Sequence, residues 1–454
     1  MAVSSPDDSD SLRYDSDEIS GSGDEAKTRN FADFIRETSK TRRLSDHVEI
    51  LVVEHEKRTE TGSMGMKDVY TAYLIESRIR EENGKKKQVA GNPSSLWRRY
   101  SEFEMLRNYL VVTYPYVIVP PLPEKRMTIM WQQMSTVDHF DADFVERRRL
   151  GLETFLQRVA AHDEVCQDHL FHTFLLQGEN WKDSIMGTGF QAKNCLSLLF
   201  LQQDSRIKNL NASFRLKKPD KRFEGLKIYA QELRNNISAI LKIRAKLAGT
   251  LYGIHKIHGN YGRVFSEWSG IEKEMGDGLQ SAGHFMDAYK DYIDDFMNEE
   301  EQISDQLKEY IYFADSLKAV CRKQEVMQYE LERSEDLLSS KRLQRDQLIG
   351  KAPSKTLSLQ GMRSKIFGPE KPETKDARLR QLEDQIEEAE EAVLRNQREI
   401  MSFMDHALSE VERFKKQKGA DLKELFISYA VLQIKMAKRG ITLWTNTKEC
   451  FEKM

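Results

Sequence analysis

Between Val48 and Phe103, apolar residues tend to alternate with polar ones, as at Val48, Ile50 and Val52. A period close to two is typical of β-strands with one buried face. Two loops rich in turn residues, TETGSMG and EENGKKKQVAGNP, divide the segment into three. The pattern therefore predicts three strands, at about 48–56, 69–78 and 96–101.

Helical spacing begins directly after the third predicted strand. Phe103, Leu106 and Leu110 share one face of a short helix, and a proline-rich loop follows from Val119 to Pro123. A longer helix is predicted from Asp143 to Ala160, with an inner apolar stripe. Together these elements predict an α+β domain with a three-stranded antiparallel sheet and helices.

After Pro219 the pattern becomes that of long helices. There is no proline until Pro353 and none after Pro372, and apolar residues recur in alternating threes and fours. Three helices are predicted, at about 221–269, 279–350 and 374–451, each spanning roughly 70 to 120 Å. A glycine-rich turn follows the first helix and a long proline- and glycine-containing loop follows the second, so this part is predicted as an elongated all-α domain.

The long helices carry more apolar positions than one set of three helices can bury. A second copy is therefore predicted to cover the remainder in a dimer. These positions are Phe265, Trp268, Leu425, Phe426, Tyr429, Leu432 and Trp444.

Composition narrows the class of protein. Residues 1–40 have no apolar period, and the first 25 hold eight Asp or Glu against the single Arg13, which predicts a disordered acidic tail. No apolar run approaches the roughly 20 residues of a membrane span, so membrane contact is predicted to be peripheral. A net charge of −3 argues against a general nucleic-acid binder. Four cysteines without motif spacing suggest a reducing, cytoplasmic setting.

The candidate chemistry lies around the end of the third strand. Arg98, Arg99 and Tyr100 follow one another there, and Lys125 ends the proline-rich loop. Guanidinium groups match phosphate oxygens with two parallel hydrogen bonds, and an aromatic face can stack under a sugar-like ring. These residue types point to a phosphoinositide headgroup as the ligand.

Three motifs in order, RRYSEF, PPLP-x-K and ERRRLGLETFL, resemble a PX domain, the phosphoinositide-binding module of sorting nexins. The later string LYGIHKIHGNYGRVFSEWSG and the three long helices resemble the PX-BAR sorting nexins, so the resemblance runs from about Val48 to the C-terminus. It implies a PX domain at 44–180, a linker with an amphipathic helix at 187–218 and a BAR domain at 219–454.

The resemblance also implies a role for each site residue. Arg99 would grip the 3-phosphate, Tyr100 would stack beneath the inositol ring, and Lys125 would reach the 1-phosphate. Arg148, chosen by the R-x-x-x-L pattern, would hydrogen-bond the far side of the ring, and the implied lipid is phosphatidylinositol 3-phosphate (PtdIns3P). Arg98 and Arg126 are interpreted as flanking charges.

The expected function is that of a PtdIns3P-binding protein that senses or stabilises membrane curvature. By resemblance it would be peripheral on early and recycling endosomes and would act in cargo recycling and autophagy-related traffic. The alternative is a coiled-coil scaffold or tether that its PX domain localises to endosomes. Curvature contact is predicted from basic residues of the long helices: Lys308, Lys318, Arg322, Lys323, Lys341, Arg342, Arg345, Lys351, Lys355, Arg363 and Lys365.

Catalysis is not expected, because the sequence has no nucleotide-binding, hydrolase or metal-ligand motif. No cofactor or metal is predicted, and His255 and His258 are interpreted as interface residues. Three interpretations stay open between membrane contact and a structural role. They concern Lys85 to Lys87, the apolar residues 127–131, and the leucine-rich insertion 194–203.

Overall fold

The computed structural model describes residues 43–61, 67–80, 94–125, 139–176, 180–191, 216–350 and 372–454. Several predictions fall outside these residues. They concern the acidic tail, Lys85 to Lys87, Arg126 with residues 127–131, the linker at 192–215 with its insertion, and the basic residues at 351–365.

An antiparallel sheet in the order β1-β2-β3 opens the described chain. Its strands are β1 (Val48–Thr61), β2 (Lys67–Ile79) and β3 (Ser94–Arg99). A bulge between Val52 and Glu54 shifts the register of β1 against β2. The three predicted strands are thus present, although the third ends at Arg99 and not at Ser101, because the next helix already begins at Tyr100.

Four helices accompany the sheet: α1 (Tyr100–Thr113), α2 (His139–Ala160), α3 (His169–Leu176) and α4 (Trp181–Gly187). Helix α2 packs against β1. Its predicted inner positions Leu152, Phe155 and Leu156 are fully buried. The inward side of the sheet supplies Val52 and Ile75 to the same core.

Arg98 is buried, although the sequence pattern predicts a flanking charge. Only 2% of the residue is exposed, and its guanidinium donates to the backbone carbonyl of Phe174 at 2.9 and 3.2 Å. It also pairs with Glu102 at 3.3 Å and lies over the ring of Trp181. Burial lowers the pKa of Arg98, and the carboxylate of Glu102 opposes that shift. Arg98 therefore ties β3 and α1 to α3 and α4.

The long helices run as predicted to within a few residues. They are α5 (Lys221–Ser269), α6 (Gly276–Ile349) and α7 (Pro372–Glu452). Asp220 caps α5 by accepting a hydrogen bond from the backbone N–H of Arg222 at 2.8 Å. Gly350 ends α6 with φ of 80°, a left-handed conformation that glycine adopts without strain. Pro372 opens α7, a position where its missing N–H costs little.

Aromatic residues form the centre of this helical core. Tyr310, Phe313 and Phe414 pack with tilted rings whose centroids lie 5.4 to 6.4 Å apart. Nearby, the buried Arg244 donates from Nε to Glu300 at 3.1 Å and joins α5 to α6. Each helix therefore buries one stripe against its neighbours, as the alternating spacing predicts.

A close approach of α5 and α6 depends on Gly283. A Cβ at this position would lie 3.0 Å from the backbone carbonyl oxygen of Gly262 and 3.1 Å from Oγ of Ser266. His258, also on α5, is buried against Met286 and Tyr289 of α6, and burial lowers the pKa of its imidazole. His258 therefore lies between two helices of a single chain.

Only some of the apolar positions that were predicted to need a second copy are exposed in the single chain. Leu425 and Leu432 are each 4% exposed within a single chain, so the prediction that they need a second copy is wrong. Phe426, Trp444 and Trp268 remain 45%, 53% and 43% exposed. These three side chains leave apolar surface for a partner to cover.

The described residues group into two compact units. One runs to Leu106 and resumes over Glu124–Thr188, and the other contains Arg107–Pro123 with Gly189–Met454. Within the second unit, Ile118 is fully buried in the helical core and its N–H donates to Glu410 at 3.1 Å. The PX boundary at 44–180 stays a prediction.

Candidate functional site

Arg99 lies at the corner where β3 ends and α1 begins. It pairs in register with Ala72 of β2, and its guanidinium lies 5.4 Å from the ring centroid of Tyr70. The side chain is 32% exposed, and its Nη1 lies 3.6 Å from the carboxylate of Glu60. Since Tyr100 opens α1, the positive end of the helix dipole is also here. The corner is therefore electropositive by both side chain and backbone.

Glu102 holds this corner in place from inside. One carboxylate oxygen accepts the backbone N–H of Arg99 at 2.8 Å, and the other pairs with Arg98. Lys182 lies 3.7 Å from the same carboxylate. The backbone leading into Tyr100 is thus fixed by a buried, charge-assisted hydrogen bond.

Arg148 contacts four neighbouring groups of the site. Its guanidinium carbon lies 5.1 Å from the ring centroid of Tyr100 and 4.4 Å from that of Phe144, which precedes it by one turn of α2. Its Nη2 donates to the backbone carbonyl of Lys125 at 2.6 Å, and Nη1 lies 3.5 Å from the hydroxyl of Tyr73. Among the described residues, its buried Nε has no hydrogen-bond partner. The two rings and the carbonyl hold the guanidinium in a defined orientation.

The neighbouring Arg149 is occupied differently. It donates to Glu146 at 2.6 Å and to the backbone carbonyl of Val52, and it is largely buried. The pKa of Glu146 is lowered chiefly because Arg149 donates hydrogen bonds to its carboxylate. The ERRRL motif thus contains one arginine beside Tyr100 and one that fixes α2 to the sheet.

Lys125 ends the proline-rich loop and is the most exposed of the four predicted ligand residues. Its side chain is 60% exposed, and its Nζ donates to Glu104 of α1 at 2.7 Å. Its backbone carbonyl receives the guanidinium of Arg148. One residue therefore presents a cation to solvent while its backbone orients a second cation.

Arg148 brings three of the four predicted residues together, because it contacts both the ring of Tyr100 and the backbone of Lys125. Arg99 is next to Tyr100 in sequence, but among the described residues its side chain contacts Tyr70 and Glu60.

Sequence reasoning missed the groups around these cations. They are Tyr70, Tyr73, Phe144 and the carboxylates Glu60, Glu102 and Glu104. One sequence signal could have found two of them. Phe144 precedes Arg148 by four residues and Glu104 follows Tyr100 by four, a spacing that makes side chains neighbours on one helix face.

On the long helices, most described basic residues of the predicted curvature surface have partners. Ion pairs join Lys308 to Asp305, Arg322 to Glu325, Arg342 to Glu390 and Arg345 to Asp346. Lys318 and Lys341 donate to glutamine side chains. Much of the positive charge on these helices is locally balanced.

The chain is similar in sequence to proteins of a known family. A family model described as PX domain matches residues 88–177, which include all four predicted ligand residues. Sorting nexin-4 of Bos taurus is 54% identical over 407 residues, covering 90% of this chain and 87% of the relative. Sorting nexin-4 of Homo sapiens is 53% identical over the same shares. The chain belongs to the sorting nexin family.

For this sorting nexin, the predicted fold class is confirmed: a PX domain with a three-stranded antiparallel sheet and helices is followed by a mostly helical region, whose described residues form three long helices. A solved structure, the cryo-EM structure of the SNX-BAR Mvp1 tetramer, aligns with 88% of this chain and 99% of its own, at 15% identity and a TM-score of 0.49.

The family makes this a membrane-associated sorting protein. None of the helices in the described ranges is long and apolar enough to cross a membrane. Within the same ranges, no group of three or more His, Cys, Asp or Glu side chains is arranged to hold a metal ion.

Proposed function

We propose that this sorting nexin binds PtdIns3P through Arg99, Tyr100, Lys125 and Arg148. The expected roles are those implied by the family resemblance, with Arg99 at the 3-phosphate and Lys125 at the 1-phosphate. Arg148 would donate to ring hydroxyls, which disfavours phosphates at those positions. The protein acts by binding, and no catalytic step is part of the proposal.

The observation that carries this proposal is the contact set of Arg148. Its guanidinium lies over Tyr100 and is fixed by the carbonyl of Lys125. Its Nε is a buried donor without a partner among the described residues. The site is therefore ordered before the ligand arrives.

The direct test is vesicle binding by the full chain with Arg99→Ala. Wild type should bind vesicles that contain PtdIns3P more tightly than vesicles that contain PtdIns(4,5)P2, and Arg99→Ala should remove that preference. Arg78→Ala is the matched control, because Arg78 is an exposed arginine of the same sheet that pairs with Glu76. Equal binding by wild type and Arg99→Ala would overturn the proposal.

We further propose that the protein works as a dimer, with a second copy or a related PX-BAR sorting nexin, on endosomal membranes. Exposed Phe426 and Trp444 support this, because they lie on the same helix that buries Leu425 and Leu432. Two headgroup sites per dimer would raise the effective affinity without new contacts. The dimer would stabilise curved endosomal membrane during cargo recycling and autophagy-related traffic.

Sedimentation tests the dimer. Phe426→Glu should shift the full chain from dimer to monomer, whereas Leu394→Glu, at a more exposed apolar position outside the predicted set, should not. A wild-type chain that sediments as a monomer at micromolar concentration would contradict a stable homodimer.

A scaffold or tether is the second candidate, and the paired charges on the long helices favour it. Basic residues such as Arg342, already bound to Glu390, contribute less to an anionic surface than free ones. Vesicles of graded diameter separate the two. Tubulation, or tighter binding to smaller vesicles, supports curvature recognition, and binding without diameter preference supports the tether.

A further inference from the structure

Two of the cations assigned to ligand phosphates already hold carboxylates. Glu104 accepts a hydrogen bond from Lys125 at 2.7 Å, and Glu60 lies 3.6 Å from Arg99. Glu104 follows Tyr100 by four residues on α1, so it shares the helix face of the predicted stacking ring. Both acids therefore stand at the positions where phosphate oxygens would arrive.

We propose that Glu104, assisted by Glu60, competes with the ligand phosphates for Lys125 and Arg99, and that its charge adds to the selectivity against headgroups with more than one phosphomonoester. This inference rests on the proposed PtdIns3P function and deepens it, since it adds a charge contribution to the selectivity expected from Arg148. Glu104 is the main competitor, because it makes a direct hydrogen bond whereas Glu60 makes only a longer ion contact.

The charge balance gives the physical reason. Arg99, Lys125 and Arg148 face two carboxylates, so the five side chains together carry a net charge of +1. A phosphate monoester carries about −1.5 to −2 at pH 7. The negative charge of one monoester together with that of the phosphodiester is already larger than this net charge of +1. Among these five side chains, no cation is left for a second monoester.

Exposure makes the exchange possible. Lys125 is 60% and Glu104 35% exposed at the side chain, and exposed ion pairs of this kind stabilise proteins little. Hydrogen bonds between a cation and phosphate are short and strong. The ligand phosphate can therefore displace Glu104 from Lys125 at low cost. The displaced carboxylate stays on the face of α1 that also carries Tyr100, so it continues to repel the phosphate.

The test is Glu104→Gln in the full chain, which keeps the shape and removes the charge. Binding to vesicles with PtdIns3P should tighten by about threefold to tenfold, and binding to vesicles with PtdIns(3,5)P2 should tighten by more. Glu412→Gln is the matched control, since Glu412 pairs with Lys415 at 2.8 Å in the helical region, and it should leave both affinities unchanged. Unchanged or weaker binding by Glu104→Gln would overturn the inference and assign Glu104 to positioning Lys125.

Two further arms locate the effect. Measured against Lys125→Met, the added change Glu104→Gln should give a smaller gain than it gives in the wild-type chain, because the repulsion remains to be removed but the competition for Lys125 does not. Soluble inositol 1,3-bisphosphate should compete with vesicles for the Glu104→Gln variant more strongly than it does for wild type. A gain in affinity that is seen only with vesicles would reflect general surface charge and would overturn the inference. A wild-type chain with no PtdIns3P preference would overturn the proposed function itself, whereas wild-type binding without a gain in the variant would overturn this inference alone.

Discussion

Replacing Arg98 with methionine should destabilise the PX domain by about 3 kcal/mol. Methionine keeps the apolar stem but removes two hydrogen bonds to the carbonyl of Phe174 and the partner of Glu102. An unsatisfied buried group costs about 1–3 kcal/mol, and breaking a buried ion pair costs about 3–5 kcal/mol. Lys182, 3.7 Å from Glu102, offsets part of that loss, which places the expectation at the lower end.

Hydrogen exchange followed by mass spectrometry suits this measurement, because it reports each part of a multidomain chain separately. Protection should fall for peptides of β3, α1 and α3 and stay unchanged for peptides of α5 to α7. Arg78→Met is the control, since Arg78 is 49% exposed at the side chain and its pair with Glu76 should contribute no more than about 1 kcal/mol.

A second variant checks the cause. Arg98→Met/Glu102→Gln should recover part of the lost stability, because the carboxylate left without Arg98 is then neutral. A loss below about 1 kcal/mol for Arg98→Met would refute the reasoning. It would mean that Arg98 is solvated, as a flanking charge would be.

Three further predictions concern the helical region. Burial raises the pKa of Cys321 to about 12. A maleimide at pH 8 should therefore label the partly exposed Cys450 quickly and Cys321 only after unfolding, and peptide mapping will identify the labelled cysteine. Fast labelling of Cys321 in the folded chain would contradict its burial. Gly283→Ala should lower the thermal midpoint, because a Cβ meets backbone at 3.0 Å, whereas Gly249→Ala, with no neighbour within 4 Å, should leave it unchanged or raise it. Asp220→Ala should cost about 0.5–2 kcal/mol at pH 7. The hydrogen bond from Arg222 is the main reason that the folded-state pKa of Asp220 is lowered from 3.8. The stability difference between wild type and Asp220→Ala should therefore be complete above pH 3.8 and fade as the pH falls through the folded-state pKa. A series of urea midpoints measures it, and a difference that persists at the lowest pH would contradict the prediction.

Local pattern was enough to predict the elements of the fold, because each strand and helix buries a periodic stripe. The first long helix was predicted with both of its ends, since Pro219 and the glycine-rich turn after Ser269 mark them in the sequence. Burial within the bundle was not predictable at Leu425 and Leu432. Whether an apolar position faces its own chain or a partner depends on how the helices cross, and periodicity does not report that.

The candidate site shows the same division. Motif spacing selected Tyr100, Lys125 and Arg148, which lie in contact. It did not reveal that Arg98 turns inward, although strand alternation separates neighbouring side chains onto opposite faces. The carboxylates at the cations were missed because acidic residues are common on solvated surfaces, and only the folded chain brings Glu104 to Lys125.

The most direct test of the central claim is a crystal structure of the full chain with short-chain PtdIns3P. The account predicts the 3-phosphate on Arg99, the 1-phosphate on Lys125 with Glu104 displaced, and the inositol ring against Tyr100 within reach of Arg148. A headgroup bound elsewhere on the protein, or one that leaves Arg99 and Arg148 without contact, would contradict it.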